Sequence, residues 1–442
     1  MTSPFLTEID PQAAVKGSRD PLGVQPIWSR LGRHVVGNVT TVSTSVRDFS
    51  TTILGYHFTE RVREANGGEP DIAVFLKWEQ MAAHARYRAD HDVSLRGIER
   101  VAKANAEGGR IRIAADASGQ ILSNQRTYGL WGLYSGPARA AGLLEGEPTR
   151  VAPVGRRLIE RVYMPAFASG GLKNADAVVA KLLKPKVDLD ADGSDKAFVK
   201  AIGRVLSPTL NATEQDAFRE HLLLGRAPDK TEGRQATLAA AMVADLERGR
   251  SDAEWTLSAP EVRHLAKRCR QQAGAGVAAA ARLERICVAE SLLAPATALF
   301  GVLLGSDGQT KEDVARHVRK VWGEGLVGLD PQALEALESE LRSATGDSIH
   351  DAAAGVRWVQ LGGALASGHY TRALDLLMEQ NAFVMKARAG AGPWVDEAAG
   401  VLRVRYRDEN LGDLPSRKEL PTFWRHSYFI DALHKVAVEL HS

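Results

Sequence analysis

Asp188, Asp190 and Asp192, followed by Gly193, reproduce the opening of an EF-hand loop, where alternating carboxylates and a glycine turn wrap calcium. The twelfth position, where a bidentate glutamate would close the cage, is Val199. The segment therefore reads as a solvated acidic turn capping a helix that starts near Ser194. Pro70-Asp71 and Pro228-Asp229 offer the first half of a PD-(D/E)xK nuclease centre, whose carboxylates and lysine hold a cation and assist phosphodiester attack. No lysine has Asp or Glu two residues before it, so the second half of that motif is missing. GxxxxGK(S/T), HExxH and GxSxG do not occur, which removes the P-loop, the helical zinc site and the nucleophile elbow. His84, His221, His317 and His434 fall in expected helices and form no recognised zinc motif with a carboxylate. The sequence carries no recognisable catalytic motif, and no cofactor or metal is expected.

Two basic constellations remain. Arg126, Arg139, Arg150, Arg156, Arg157 and Arg161 cluster in a stretch with the order of a winged helix. In such a module a recognition helix enters the major groove while the hairpin touches phosphate. Arg403, Arg405 and Arg407 alternate with Leu402, Val404 and Tyr406, so a strand would point all three guanidinium groups to one side. There they would meet phosphate, or acids on another subunit. The plainer reading of each group is a solvated face of an Arg-rich chain.

The elements that position these residues are mostly helical. Trp28, Leu31 and Val35 are spaced as a buried helix stripe, and Val42, Val46, Phe49 and Ile53 form a second, with Thr40, Thr41 and Ser43 as candidate N-caps. Phe75, Trp78, Ala82 and Ala85 form a third after Pro70-Asp71, with Lys77, Glu79, Gln80, Arg86 and Arg88 on its other faces. Residues 1–92 are thus expected to form an N-terminal helical bundle. Residues 93–168 follow as a winged-helix-like module: a strand at Arg110–Ile113, an aromatic helix from Tyr128 to Ala141, a glycine exit through Gly142 and Gly146, and a strand entering a helix at Arg150–Leu158.

A middle helical domain spans 169–305, with loops such as Lys184-Pro185-Lys186 and Ala-rich helices. A C-terminal helical domain spans 306–442. It carries stripes at Val314, Val318, Val321 and at Leu334, Leu337, Leu341, a short β element near Arg403, and a last helix bearing Phe429, Leu433, Val436 and Leu440. The expected class is mainly α, multi-domain, with a small winged-helix-like α+β module and one or two short hairpins.

A length of 442 residues exceeds one hydrophobic core, so roughly two to four domains are expected. Lys+Arg of 56 against Asp+Glu of 54 argues against an acidic tail or a strongly basic nucleic-acid coat, while leaving room for local basic faces. Cys269 and Cys287, without CxxC spacing, give no basis for zinc ribbons or disulfides and point to a reducing, cytoplasmic compartment. The opening MTSPFLTEIDPQ lacks the apolar core of a signal peptide, and no apolar run is expected to reach the length of a membrane span.

The run Gly37 to Phe49 is distinctive and resembles the N-terminal pattern of an uncharacterised bacterial domain-of-unknown-function family often met near restriction and phage-defence genes. Phe75-Leu76-Lys77-Trp78-Glu79, the stretch Gly129 to Gly155 and the aromatic segment Trp424 to Leu433 are similar to patches of the same family. The resemblance implies context rather than mechanism. Together with the arginine groups it yields the leading expectation. This is a non-enzymatic DNA-binding or adaptor subunit of a multi-protein bacterial anti-phage defence or DNA-processing system. Its partners would be protein subunits of that system and double-stranded DNA, with no membrane. The alternatives are a helical scaffold that contacts only protein, using Trp322, Trp358 and Trp394 in interfaces or core, and a nuclease with an unrecognised site.

Overall fold

Asp71 accepts a hydrogen bond from the amide of Ala73 (2.8 Å), Asn124 from Thr127 (3.1 Å) and Asp330 from Gln332 (3.0 Å). Each side chain satisfies an orphan donor at the start of a helix, so these helices begin where the sequence places a cap. The computed structural model describes residues 20–67, 71–92, 94–225, 231–250, 252–342, 352–389, 392–406 and 414–441. Helix makes up 62% and strand 5%, so the mainly helical class holds.

The chain divides into two compact units, Met1–Val35 with Ala253–Ile430, and Val36–Asp252 with Asp431–Ser442. These boundaries differ from those expected at 92, 168 and 305. Both units are built from segments distant in the sequence, which local periodicity cannot reveal.

In the first unit the centre is the 30-residue helix Ala275–Leu304. It packs on Ala259–Arg270, Val24–Arg33, Pro331–Glu335 and Tyr370–Ala389. This helix is long and apolar enough to cross a membrane by length and composition, with mean hydropathy 1.9 over its most apolar window, contrary to the expectation from the sequence. That window is 78% buried, as in the core helix of a folded domain. Trp322, Trp358 and Trp394 are all buried in this unit, which makes them core residues rather than an exposed interface. Its hairpin pairs Val395–Ala398 with Val401–Val404 through Ala399 and Gly400, both at positive φ.

In the second unit Val46–Asn66 packs on Ile72–Asp90, and Ile72–Asp90 in turn on Lys196–Val205. The expected strand is present as Ile111–Ala114, and it pairs antiparallel with Lys186–Leu189. Two sequence expectations change here. Lys186 begins a strand rather than ending a loop. The first strand of the winged-helix order does not join the later hairpin, Leu144–Glu145 with Arg150–Val151, in one sheet.

The first turn of Val46–Asn66 is capped from far away. Ser45 makes no side-chain cap, and the Val46 amide donates to Glu439 Oε2 (2.8 Å). Thr40 and Ser43, candidate caps in the sequence, bond to each other in the preceding turn.

Candidate functional site

The candidate interface is carried by two short helices, a hairpin and a third helix in the second unit. Gln125–Tyr128 runs into Leu130–Ala140 through Gly129. A Cβ on Gly129 would lie 2.6 Å from Glu79 Oε1 and 2.5 Å from the Gln125 carbonyl, so only glycine lets the next helix start against Glu79. Glu79 Oε1 then accepts from the Leu130 amide (2.7 Å) and Oε2 from Gln125 Nε2 (2.8 Å). Leu130–Ala140 lays Tyr134 against Phe49, with ring centroids 5.0 Å apart, and stacks Trp131 on Tyr56 at 5.2 Å. The Val151 amide donates to Glu60 Oε1 (3.1 Å), which ties the hairpin to the long helix beneath it. Pro153 opens Pro153–Leu158 in the first turn, where its missing N–H costs nothing.

All the arginines expected on this stretch are exposed, but they fall into two groups. Arg139 pairs with Glu147 (2.7 Å), and Glu145 meets Arg156 at 3.1 Å and its cross-strand neighbour Arg150 at 3.8 Å. The hairpin thus brings these cations together around its own two carboxylates. Arg126, Arg157 and Arg161 have no ion pair among the described residues. Arg157 and Arg161 are four positions apart, and the second lies in the π-helical turn Ile159–Tyr163 that continues the helix.

Arg403 and Arg405 belong to the other unit, on the strand Val401–Val404 and just after it. Both are exposed, and Arg405 pairs with Asp396. Arg407 lies outside the described residues, as do Pro70, Pro228 and Asp229.

Beneath the interface lies a buried polar layer that includes residues expected on the other faces of the third stripe. Lys77, Glu79, Gln80, His84 and Arg86 are buried, together with Arg47, Asp48, Ser50, Thr51 and Thr52 on the neighbouring helix. Charge is matched by charge. Arg47 pairs with Glu214 (2.6 Å), and Arg86 with Asp48 (2.6 Å) and Asp92 (2.7 Å). Gln80 holds both the amide (3.0 Å) and the carbonyl (2.8 Å) of Ala114 at the end of the first strand. Lys77 donates to the carbonyls of Leu182 and Lys184, closing the C-terminal end of Asp176–Leu182.

Burial pushes Glu79 up to about 7, although the hydrogen bonds from Gln125 and Leu130 pull the other way. Burial drives His84 down to about 4, helped by the Arg88 charge, and does the same to His57 beside Arg61. One signal for this layer was present in the sequence. The polar residues of 72–90 surround the helix instead of sharing one side, and a helix with no wholly polar face has none to leave in water.

The EF-hand-like segment is fully used for structure. Asp188 sits in a strand and pairs with Arg112, while Asp192 pairs with Arg88. Asp190 accepts from the amides of Gly193 (3.0 Å) and Ser194 (3.3 Å), as expected of an acidic turn before a helix. Among the described residues no three His, Cys, Asp or Glu side chains are grouped to hold a metal ion. Both cysteines are buried with free thiols, and burial pushes each up to about 12. No family model, curated protein or solved structure matches the chain.

Proposed function

We propose that this chain is a non-enzymatic DNA-binding adaptor, a subunit of a multi-protein bacterial defence or DNA-processing system. In this reading, residues 125–161 dock on duplex phosphate in the manner of a winged helix. The observation that carries the reading is the pair Arg157 and Arg161. They are exposed, four positions apart, without an ion pair among the described residues, on the helical segment that follows the hairpin. Guanidinium groups so placed form charge-assisted hydrogen bonds to phosphate oxygens. Arg139, Arg150 and Arg156 are oriented by Glu145 and Glu147, so they contribute shape more than net charge. A near-neutral chain fits modest DNA affinity completed by partner subunits. The likeness of Gly37–Phe49 to defence-associated proteins supports that setting.

The test is fluorescence anisotropy of a labelled duplex with the full chain and with an Arg157→Ala/Arg161→Ala variant. Binding at low salt that weakens about tenfold or more in the variant is expected. Absence of low-salt binding would overturn the reading. A second reading, a scaffold that contacts only protein, draws on Tyr128, which is 49% exposed beside Arg126. Tyrosine and arginine are the residue types enriched where proteins meet. Absence of DNA binding, with loss of partner capture in Tyr128→Ala, is the outcome that reading expects.

A further inference from the structure

A groove of about 450 Å³ opens between the end of Ile72–Asp90 and the helix Lys196–Val205. Its floor is made of small residues. Ala85, Ala89 and Gly203 lie there, and a Cβ on Gly203 would stand 2.7 Å from the Ala89 methyl and 2.8 Å from the Ala85 carbonyl. Its walls carry Arg88, Lys196, Lys200 and Arg204, against one lining carboxylate, Asp90.

Lys196, Lys200 and Arg204 follow at every fourth position, so they form one row along the helix, about 12 Å from end to end. Like charges at this spacing oppose the helix that carries them. No ion pair among the described residues relieves them. The neighbouring carboxylates are engaged elsewhere, Asp192 by Arg88 and Asp195 by Lys181 (2.7 Å). A cationic row over a concave, small-residue floor is a site for an anion with a flat or apolar body.

We infer that this groove binds a phosphorylated small molecule of mononucleotide size. Its phosphates lie along Lys196, Lys200 and Arg204, and its uncharged part rests on Ala85, Ala89, Val199 and Gly203. The site is separate from the arginine pair at 157 and 161, and the inference stands or falls apart from the DNA-docking reading.

Isothermal titration of the full chain with ADP, with pyrophosphate and with a short single-stranded oligonucleotide tests it. The expected result is saturable one-to-one binding of ADP, tighter than pyrophosphate. That binding weakens tenfold or more in Lys200→Gln/Arg204→Gln and is unchanged in Arg157→Ala/Arg161→Ala. Ala89→Phe, which fills the groove without altering its charge, should weaken ADP more than pyrophosphate. Lys200, Arg204 and Ala89 are exposed, so these changes leave the core intact. Failure of ADP to bind, equal binding in Lys200→Gln/Arg204→Gln, or saturation by the oligonucleotide alone would overturn the inference.

Discussion

The cores of the two units solve the same problem with opposite chemistry. Around Ala275–Leu304 the first unit buries mainly leucine, isoleucine, alanine and phenylalanine, and the helix itself carries the buried acid Glu290. Glu290 accepts from the amides of Arg425 (2.6 Å) and His426 (3.1 Å), from His426 Nδ1 (2.8 Å) and from the Tyr428 hydroxyl (2.8 Å). It fastens the segment before the last helix, where Tyr428 and Phe429 both take positive φ and Trp28 packs on their rings. In the second unit, Val46–Asn66 and Ile72–Asp90 carry charges on their buried faces and depend on partners from distant segments. The lesson is that an apolar core tolerates imperfect neighbours, whereas a core of matched charges fixes which segments meet. A buried ion lacking its partner is more costly than a small cavity.

The sharpest way to break this comparison is Arg86→Ala, which strands Asp48 and Asp92. Destabilisation of about 3–5 kcal/mol is expected, read as a lower urea midpoint with amide exchange accelerated in residues 72–90. A cost below about 1 kcal/mol would show that the charged layer does not hold the second unit together.

Next in size is Glu290→Gln in the first unit. It puts an amide donor where a carboxylate oxygen accepts from Tyr428 or His426. A loss of about 1.5–3 kcal/mol is expected, with faster exchange of the amides at 425 and 426. No loss would mean that the anchor is dispensable.

A smaller effect separates the cores by pH. Glu79 is raised to about 7, so the folded chain holds a proton that the unfolded chain releases above its ordinary carboxylate range. This stabilisation is complete at low pH and is lost as pH rises towards 7. His57 and His84, lowered to about 4, act in the other direction, losing stability as pH falls from about 6.5 towards 4. Glu79→Gln removes the compensating group. Its Tm should therefore drop more than that of the unaltered chain between pH 8 and pH 5, and parallel Tm curves would contradict this.

How far the molecule could be read from its sequence follows the same division. A helix with an apolar stripe and a capping Asp, such as the one after Asp71, was legible because its signals are local, whereas the stripe at Leu334, Leu337 and Leu341 is helical only over Pro331–Glu335. The long core helix was partly legible as an Ala-rich stretch, though its full apolar length was not. The charged layer was not legible because its evidence is not local. Arg47 is satisfied by Glu214, 167 positions away. The strand at Ile111 likewise finds its partner at Leu189. At the candidate site the positions of the arginines were legible and all the described ones are exposed. Their division into paired and unpaired groups was not legible, because it depends on where the folded hairpin places Glu145 and Glu147.

That division makes the central claim measurable. Arg157→Ala/Arg161→Ala should leave folding stability within about 0.5 kcal/mol, because both side chains are exposed. The decisive measurement is the slope of log affinity for a duplex against log salt, for this variant and the unaltered chain. Each lost phosphate contact should reduce the slope by about 0.9, so a reduction of about 2 is predicted. An unchanged slope in a folded variant would contradict the account.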